Sequence, residues 1–422
     1  MKTSSICLPL GDGDLTEYTL QPSRAFATVS EFHCRTAYAA AHVVADPLAE
    51  NGLGIPAVID WEATLRFREH LWSLGFGVAE AMDTAQRGMG LDWAAAKELI
   101  RRSCLAASSG KHPIVCGAGT DQLSNARSLS DVAAAYEEQC DWIEQWNGQV
   151  VIMASRPLAA IARSFDDYQQ VYSEVVGSCK DRVILHWLGP MFDPALTGYW
   201  GSTDLDRATE KFLILLNALA SKVAGVKISL LDKDREIGIR RRLPAGMKLF
   251  TGDDFSYPEL ILGDERPWRG VVSDARAAEA PGKNQNTAVS AKRALQAAPL
   301  QNDNFSHALL GIFDAIAPAA SAAFGALDRG DQDGFLQILN PTVPLARHIF
   351  QEPTYHYKTG LVFLAYLNGL QTHFRMVGGL ESARSVAHMS RLFILADHAG
   401  LLLDQEMAME RMQRFLAPAG VM

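Results

Sequence analysis

Short apolar runs alternate along the chain with longer segments of helical periodicity. Amphipathic segments such as 60–74, 92–108, 165–177 and 203–222 separate most of these runs. Strands that are apolar on both faces and separated by helices are typical of a parallel sheet. Eight such units predict a closed (β/α)8 barrel of the α/β class. The eight runs of strand length are 36–45, 77–82, 112–117, 149–154, 182–188, 224–229, 247–252 and 309–315.

An open, doubly wound sheet is the alternative architecture for such a pattern. It would carry a glycine-rich phosphate-binding loop directly after its first strand. The segment that follows the first predicted strand has no such fingerprint, so the closed barrel is favoured.

Two regions fall outside the eight repeating units. Residues 1–32 are predicted to be an N-terminal extension, 33–330 the barrel, and 331–422 a C-terminal helical subdomain. Residues 266–304 interrupt the barrel between its seventh and eighth strands and are rich in Ala, Gln, Asn and Pro. This composition favours a mobile insertion over a lid.

Composition and charge limit the cellular location and the classes of binding partner that we expect. The net charge of −9 gives no electrostatic reason to bind nucleic acid or an anionic membrane. No apolar stretch approaches the roughly 20 residues that span a bilayer, and no secretory signal is recognisable. The six cysteines are scattered without a CxxC pair, as expected for reduced thiols. We therefore predict a cytoplasmic protein.

Lys227 is the most conspicuous candidate for chemistry. It lies inside the apolar run Val226 to Leu231, and lysine is almost never fully buried unless it is paired. Burial lowers the pKa of an amine and supplies the neutral nucleophile that forms a Schiff base with a carbonyl compound. The alternative is a structural ion pair with Asp253, Asp254 or Glu80.

Other polar residues follow the predicted strands. In a (β/α)8 barrel, chemistry takes place where the strands end at the carboxyl-terminal face. The candidates there are Glu80, Asp83, Thr84, Gln86, Arg156, His186, Asp253 and Asp254.

The segment from Lys227 onward resembles the dihydrodipicolinate synthase / N-acetylneuraminate lyase superfamily of class I aldolases. "GVKISLLDKDREIGIRRRLPAGMKLFTGDD" (225–254) is similar to that family's sixth and seventh strands, the sixth of which carries the Schiff-base lysine. Three further segments, beginning "IDWEATLRF", "HPIVCGAGTD" and "ALLGIFDA", follow the family's order, and the resemblance covers most of residues 36–370. It implies a Schiff-base lyase whose covalent nucleophile is Lys227 and which needs no cofactor.

The chain departs from this family at two places. The family's "GTTGE", which grips a substrate carboxylate, is "MDTAQ" (82–86) here, so that Thr84 is kept and Asp83 replaces the other threonine. The family's fourth-strand tyrosine, which relays protons, is expected within 153–157, where this chain has "MASRP". The resemblance therefore indicates a divergent branch with a changed pocket, in which Arg156 is an alternative anchor for an acid group.

The acidic residues suit a polyhydroxylated substrate, because carboxylates accept hydrogen bonds from sugar hydroxyls. We therefore expect a 2-keto acid or keto-sugar, and a role in carbohydrate metabolism. Asp83, Thr84, Glu80, Gln86, Asp253 and Asp254 would contact the substrate, and His186 would carry protons. A helix cap is an equally good interpretation of Asp254.

Two further hypotheses remain open. A divalent metal bound by some of His42, Glu80, Asp83, His186 and Asp253 would make the protein a metal-dependent aldolase or isomerase. A barrel without catalytic activity would instead bind a ligand or a partner. The C-terminal helices are candidates for homo-oligomer contacts.

Overall fold

The computed structural model describes residues 5–11, 13–263 and 304–421. Within these residues, eight parallel strands close into a barrel, and the last of them pairs with the first to complete the ring. The predicted (β/α)8 barrel is confirmed, with its strands in the predicted order. The strands are β3 (Ala37–Ala40), β4 (Gly77–Glu80), β5 (Ile114–Ala118), β6 (Gln149–Ile152), β7 (Val183–Leu188), β8 (Val223–Ser229), β9 (Lys248–Thr251) and β10 (His307–Leu310).

The eighth strand differs in its boundaries from the predicted run 309–315. The strand ends at Leu310, and a helix begins at Phe313. One continuous apolar run thus contains the end of a strand and the start of a helix. Its residues are apolar throughout because both elements are buried here. Periodicity alone does not separate two such elements.

Helices cover the outside of the barrel. Most begin at Asp or Ser residues whose side chains accept a hydrogen bond from a free backbone N–H of the first turn, as at Asp60, Asp92 and Ser164. These helices are α1 (Trp61–Ser73), α2 (Trp93–Gly110), α3 (Leu129–Gln145), α4 (Arg156–Ile161), α5 (Phe165–Ser178), α6 (Leu205–Ala218), α7 (Lys233–Arg240) and α8 (Tyr257–Leu262).

Six helices follow the last strand, and the predicted C-terminal helices are present. They are α9 (Phe313–Asp328), α10 (Gln332–Leu339), α11 (Val343–Ile349), α12 (Tyr357–Leu367), α13 (Val386–His398) and α14 (Gln405–Leu416). Their apolar side chains form one cluster with those of the barrel's outer face. The strands β1 (Ser5–Pro9) and β2 (Leu15–Thr19) form an antiparallel hairpin, from which the Tyr18 hydroxyl donates to Asp397 at 2.6 Å.

The inner and outer faces of the strands alternate. Ala40, Ala79, Ile184 and Phe250 contribute to the apolar cluster inside the barrel. Lys227 lies opposite His186 on one neighbouring strand and Phe250 on the other, so its side chain belongs to the inner face.

Within the described parts of the chain, no helix is long and apolar enough to cross a membrane. The predicted insertion at 266–304 lies, apart from its last residue, outside the described residues.

Candidate active site

Lys227 is buried in the barrel near the carboxyl ends of the strands and retains 7% of its exposure. Burial lowers the pKa of its amine from 10.5 to about 8, and the negative charges of Asp254 and Asp83 counter part of that shift. At neutral pH an appreciable fraction of the amine is therefore unprotonated, which a nucleophile requires.

The backbone approaches Lys227 closely at Gly252, the residue that directly follows β9. A Cβ on Gly252 would lie 2.9 Å from the Lys227 Cε and 2.8 Å from the carbonyl oxygen of Ile228. Such a Cβ would collide first with Ser229 Oγ, so that only glycine leaves room here for the Ser229 hydroxyl and the lysine side chain.

Two adjacent carboxyl groups follow β9, and they have different partners. Asp253 Oδ1 accepts hydrogen bonds from the backbone N–H groups of Phe255 and Ser256 at 2.8 and 2.9 Å, just before α8. Asp254 Oδ1 instead accepts from the backbone N–H of Ile312 at 2.8 Å. Asp253 thus bonds to the two residues before α8 and Asp254 to Ile312, so the helix-cap interpretation offered for these carboxyl groups fits neither of them.

Asp254 is the main counter-charge to Lys227. Burial raises the pKa of its carboxyl from 3.8 to about 7, while the hydrogen bond from Ile312 and the charge of Lys227 act in the opposite direction. The carboxyl and the amine therefore both change protonation close to neutral pH, so that either can exchange a proton during a reaction.

Asp83 and Thr84 meet the C-terminal helices directly after β4. The Tyr357 hydroxyl donates to Asp83 Oδ2 at 2.9 Å and lies 2.8 Å from Thr84 Oγ1. The Lys358 ammonium donates to the same Asp83 oxygen at 3.0 Å. A tyrosine and a second buried lysine thus enter the site from α12.

His186 lies beside Lys227 on the inner face of the barrel. Its Nε2 is 3.0 Å from Ser229 Oγ, and within the described residues its buried Nδ1 has no hydrogen-bond partner. Burial, reinforced by the charge of Lys227, lowers the pKa of the imidazole well below 6.5. The ring is therefore neutral at pH 7.

A cavity of about 560 Å³ is lined by Asp83 and His186, while Lys227 and Asp254 are not part of its wall. This volume accommodates a small metabolite. Arg156 lies at its rim with a half-exposed side chain, and its Nε donates to Asp193 at 2.5 Å. The lining includes Asp83, Arg87, Thr120, Asp121, Asn125, Met153, Arg156, His186, Leu188 and Asp193.

Glu80 and Gln86, both predicted to bind substrate, have other partners. Glu80 is on the outer face of β4, where its two oxygens accept from Arg68 at 2.8 and 2.9 Å. Gln86 Nε2 donates to the backbone oxygens of Met89 and Val377 at 3.0 and 2.9 Å. Their positions argue against the predicted substrate contacts.

The predicted metal-ligand set does not converge. His42 Nδ1 contacts Asp314 Oδ2 at 2.8 Å and its Nε2 contacts Gln371 at 3.0 Å, while Glu80 faces Arg68. Among the residues that the structure describes, no three His, Cys, Asp or Glu side chains are grouped so that they could hold a metal ion.

The sequence pattern did not point to Tyr357 and Lys358. They are separated from Asp83 by 274 and 275 positions. The only local signal was the polar segment "TYHYK" (354–358), whose last two residues begin the apolar helix α12.

The chain matches the model of a family described as "Protein of unknown function (DUF993)" over residues 6–297 and 299–421. It belongs to that family. A search of curated protein sequences finds no match.

Solved structures with this fold include several dihydrodipicolinate synthases. The enzyme from Aquifex aeolicus has a TM-score of 0.59 at 12% identity, over 88% of this chain and 99% of that one. The 4-hydroxy-tetrahydrodipicolinate synthase from Methylacidiphilum fumariolicum SolV has a TM-score of 0.56 at 14% identity, over 91% and 97%. The predicted resemblance is confirmed at the level of the fold.

Proposed function

We propose that this protein is a lyase that forms a Schiff base between Lys227 and a 2-keto acid or keto-sugar. The observation that carries the proposal is the buried Lys227 amine, whose pKa is lowered to about 8 on the inner face of a (β/α)8 barrel. Its neutral form attacks the substrate carbonyl, the C=O π electrons move to oxygen, and water leaves after proton transfer. The resulting iminium accepts electrons when a neighbouring C–C or C–O bond breaks or forms.

The surrounding groups support this chemistry. Asp254, with its pKa raised to about 7, is suited to exchange the protons that carbinolamine formation and dehydration require. The neutral His186 is a second proton acceptor beside the nucleophile. His186 and the ionisable Asp254 replace the missing fourth-strand tyrosine as candidates for proton transfer.

The cavity favours a hydroxylated substrate with one acid group. Asp83, Thr120 and Asn125 present hydrogen-bonding groups along its wall. Arg156, which uses Nε for Asp193, is positioned at the rim to bind a carboxylate through its terminal nitrogens. We expect the protein to work without a cofactor as a cytoplasmic homo-oligomer in carbohydrate metabolism.

Borohydride trapping tests the proposal. The purified chain is incubated with pyruvate or dihydroxyacetone, with and without borohydride and in the presence of a chelator, and its intact mass is measured. We expect an added mass equal to the carbonyl compound less one oxygen, which is lost when Lys227 is replaced by Met.

Lys248→Met is the matched control, because Lys248 is exposed at the start of the neighbouring β9 and contacts Thr36. It should form the adduct as the wild type does. If no member of a wider panel of 2-keto acids and keto-sugars gives an adduct, the proposal is wrong.

A further inference from the structure

Lys358 is a second buried lysine at the active site, and it belongs to α12 rather than to the barrel. It has no exposed surface, and its ammonium donates to Asp83 Oδ2 at 3.0 Å and to the backbone oxygen of Tyr355 at 3.1 Å. A buried ammonium without a counter-charge is strongly unfavourable, so Asp83 is required to hold Lys358 in its charged form.

Asp83 has a second cationic neighbour. Its negative charge also acts on Lys227, where it favours the protonated amine together with Asp254. Asp83 lines the same cavity as His186, which lies opposite Lys227 on the adjacent strand. The charge of one carboxylate therefore acts on two lysines, and the Lys358 ammonium is in direct contact with it.

The side chain of Asp83 is fixed by this contact. Both Lys358 and the Tyr357 hydroxyl bind Oδ2, and no donor from the described residues contacts Oδ1. The Asp83 side chain is 19% exposed and lines the cavity. Oδ1 is thus available to a substrate, while Oδ2 is anchored to α12.

We propose that Lys358 is a positioning residue that neutralises part of the charge of Asp83 and so keeps the Lys227 amine available as a nucleophile at neutral pH. This inference rests on the proposed Schiff-base function. Without Lys358, the full charge of Asp83 would act on Lys227 and hold its proton more tightly.

Three other ionisable groups near Lys227 have hydrogen-bond partners other than Lys358. Asp254, on the loop after β9, is held by the backbone of Ile312. His186, on β7, contacts Ser229 and is neutral. Asp253, beside Asp254, accepts a hydrogen bond from the backbone N–H of Phe255, just before α8. Replacing Lys358 therefore removes no hydrogen bond of these three groups, and the charge of Asp83 that it uncovers acts on Asp254 as well as on Lys227.

The test measures the protonation of Lys227 without any substrate. Trace acetylation with acetic anhydride at about pH 6 to about pH 11, followed by peptide mass spectrometry, gives the titration midpoint of an individual lysine. Lys358→Met should raise the Lys227 midpoint by about one unit, while Asp83→Asn should lower it by a similar amount. Lys358→Arg keeps the charge and should leave the midpoint near that of the wild type.

Two further variants keep the test decisive. Lys233→Met removes a surface lysine paired with Glu259 and should change nothing at Lys227. If Lys358→Met does not fold, the double variant Asp83→Asn/Lys358→Met removes both buried charges together, and its midpoint should lie above that of Asp83→Asn because the positive charge of Lys358 is also gone. An unchanged Lys227 midpoint in Asp83→Asn or in Lys358→Met would overturn the inference, as would a double variant whose midpoint equals that of Asp83→Asn, or a Lys227 that stays unreactive at every pH. Failure of the proposed function appears separately: the variants would then show the expected midpoint shifts, but the wild type would form no carbonyl adduct.

Discussion

The Tyr357 hydroxyl donates a hydrogen bond to Asp83 Oδ2 at 2.9 Å, across 274 positions of the chain. The same hydroxyl lies 2.8 Å from Thr84 Oγ1. Asp83 and Thr84 stand where the resemblance places a carboxylate-binding motif. The C-terminal helices therefore complete the site that the barrel strands begin.

Tyr357→Phe should lower the free energy of unfolding by about 2 kcal/mol, because it removes a buried hydrogen bond to a charged group. Urea denaturation at neutral pH measures this loss. Tyr366→Phe is the matched control on the same helix, since the Tyr366 ring packs against Phe374 away from Asp83, and it should change stability by less than about 0.5 kcal/mol. Equal losses in the two variants would contradict the assigned role of the Tyr357 hydroxyl.

Lys227→Met should raise the free energy of unfolding at pH 7 by about 3–4 kcal/mol. The folded state lowers the lysine pKa from 10.5 to about 8, and each unit of pKa is worth about 1.4 kcal/mol. At pH 7 most of the lysine is still protonated in both states, so that nearly the full cost of burying its charge is present.

That cost disappears as the pH rises from about 8 to about 10.5, because the folded protein then no longer carries the buried proton. The stability of the wild type should therefore approach that of Lys227→Met over this range. Denaturation at several pH values measures the difference. If the difference in the free energy of unfolding between the wild type and Lys227→Met does not depend on pH, the folded state does not lower the pKa of the Lys227 amine.

Gly252→Ala should displace the nucleophile. The added Cβ would collide first with Ser229 Oγ and would also lie 2.9 Å from Lys227 Cε, and such overpacking costs about 1–3 kcal/mol. We expect thermal denaturation to show the loss and borohydride trapping at Lys227 to fall. Gly238→Ala on α7 has no atom within 4 Å of its new Cβ and should instead gain about 0.5–1 kcal/mol. Trapping that is unaffected in Gly252→Ala would show that the close approach does not position the lysine.

Glu80→Gln should lower the free energy of unfolding by about 3–5 kcal/mol, because it leaves Arg68 buried without its counter-charge. Trapping by the folded fraction should be retained, since Glu80 faces outward. The control is Glu62→Gln, which removes the charge of Glu62 from its exposed pair with Arg66 on α1, the helix that also carries Arg68. It should cost no more than about 1 kcal/mol. Loss of trapping in folded Glu80→Gln would restore the substrate-binding role predicted for this residue.

The sequence predicted the barrel and the burial of Lys227 because both depend on local patterns. Apolar runs separated by helical segments determine the strand order, and a lysine inside such a run is conspicuous. Alternation along β4 also places Ala79 inside and Glu80 outside. The orientation of Glu80 was therefore predictable once the inner face was known.

The contribution of α12 was not predictable in this way. Tyr357 and Lys358 reach Asp83 only through the packing of the C-terminal helices on the barrel, and no periodic pattern encodes a contact across that separation. The division of roles between Asp253 and Asp254 likewise depends on which backbone N–H each carboxyl meets. Such details follow from tertiary geometry.

The site of covalent labelling tests the central claim most directly, because the active site contains two buried lysines. After borohydride trapping with a carbonyl compound that labels the intact protein, peptide mapping locates the modified residue. The account predicts the adduct on Lys227, whose amine is available for attack, and none on Lys358, whose amine is bound to Asp83. An adduct on Lys358, or one that persists in Lys227→Met, would contradict it.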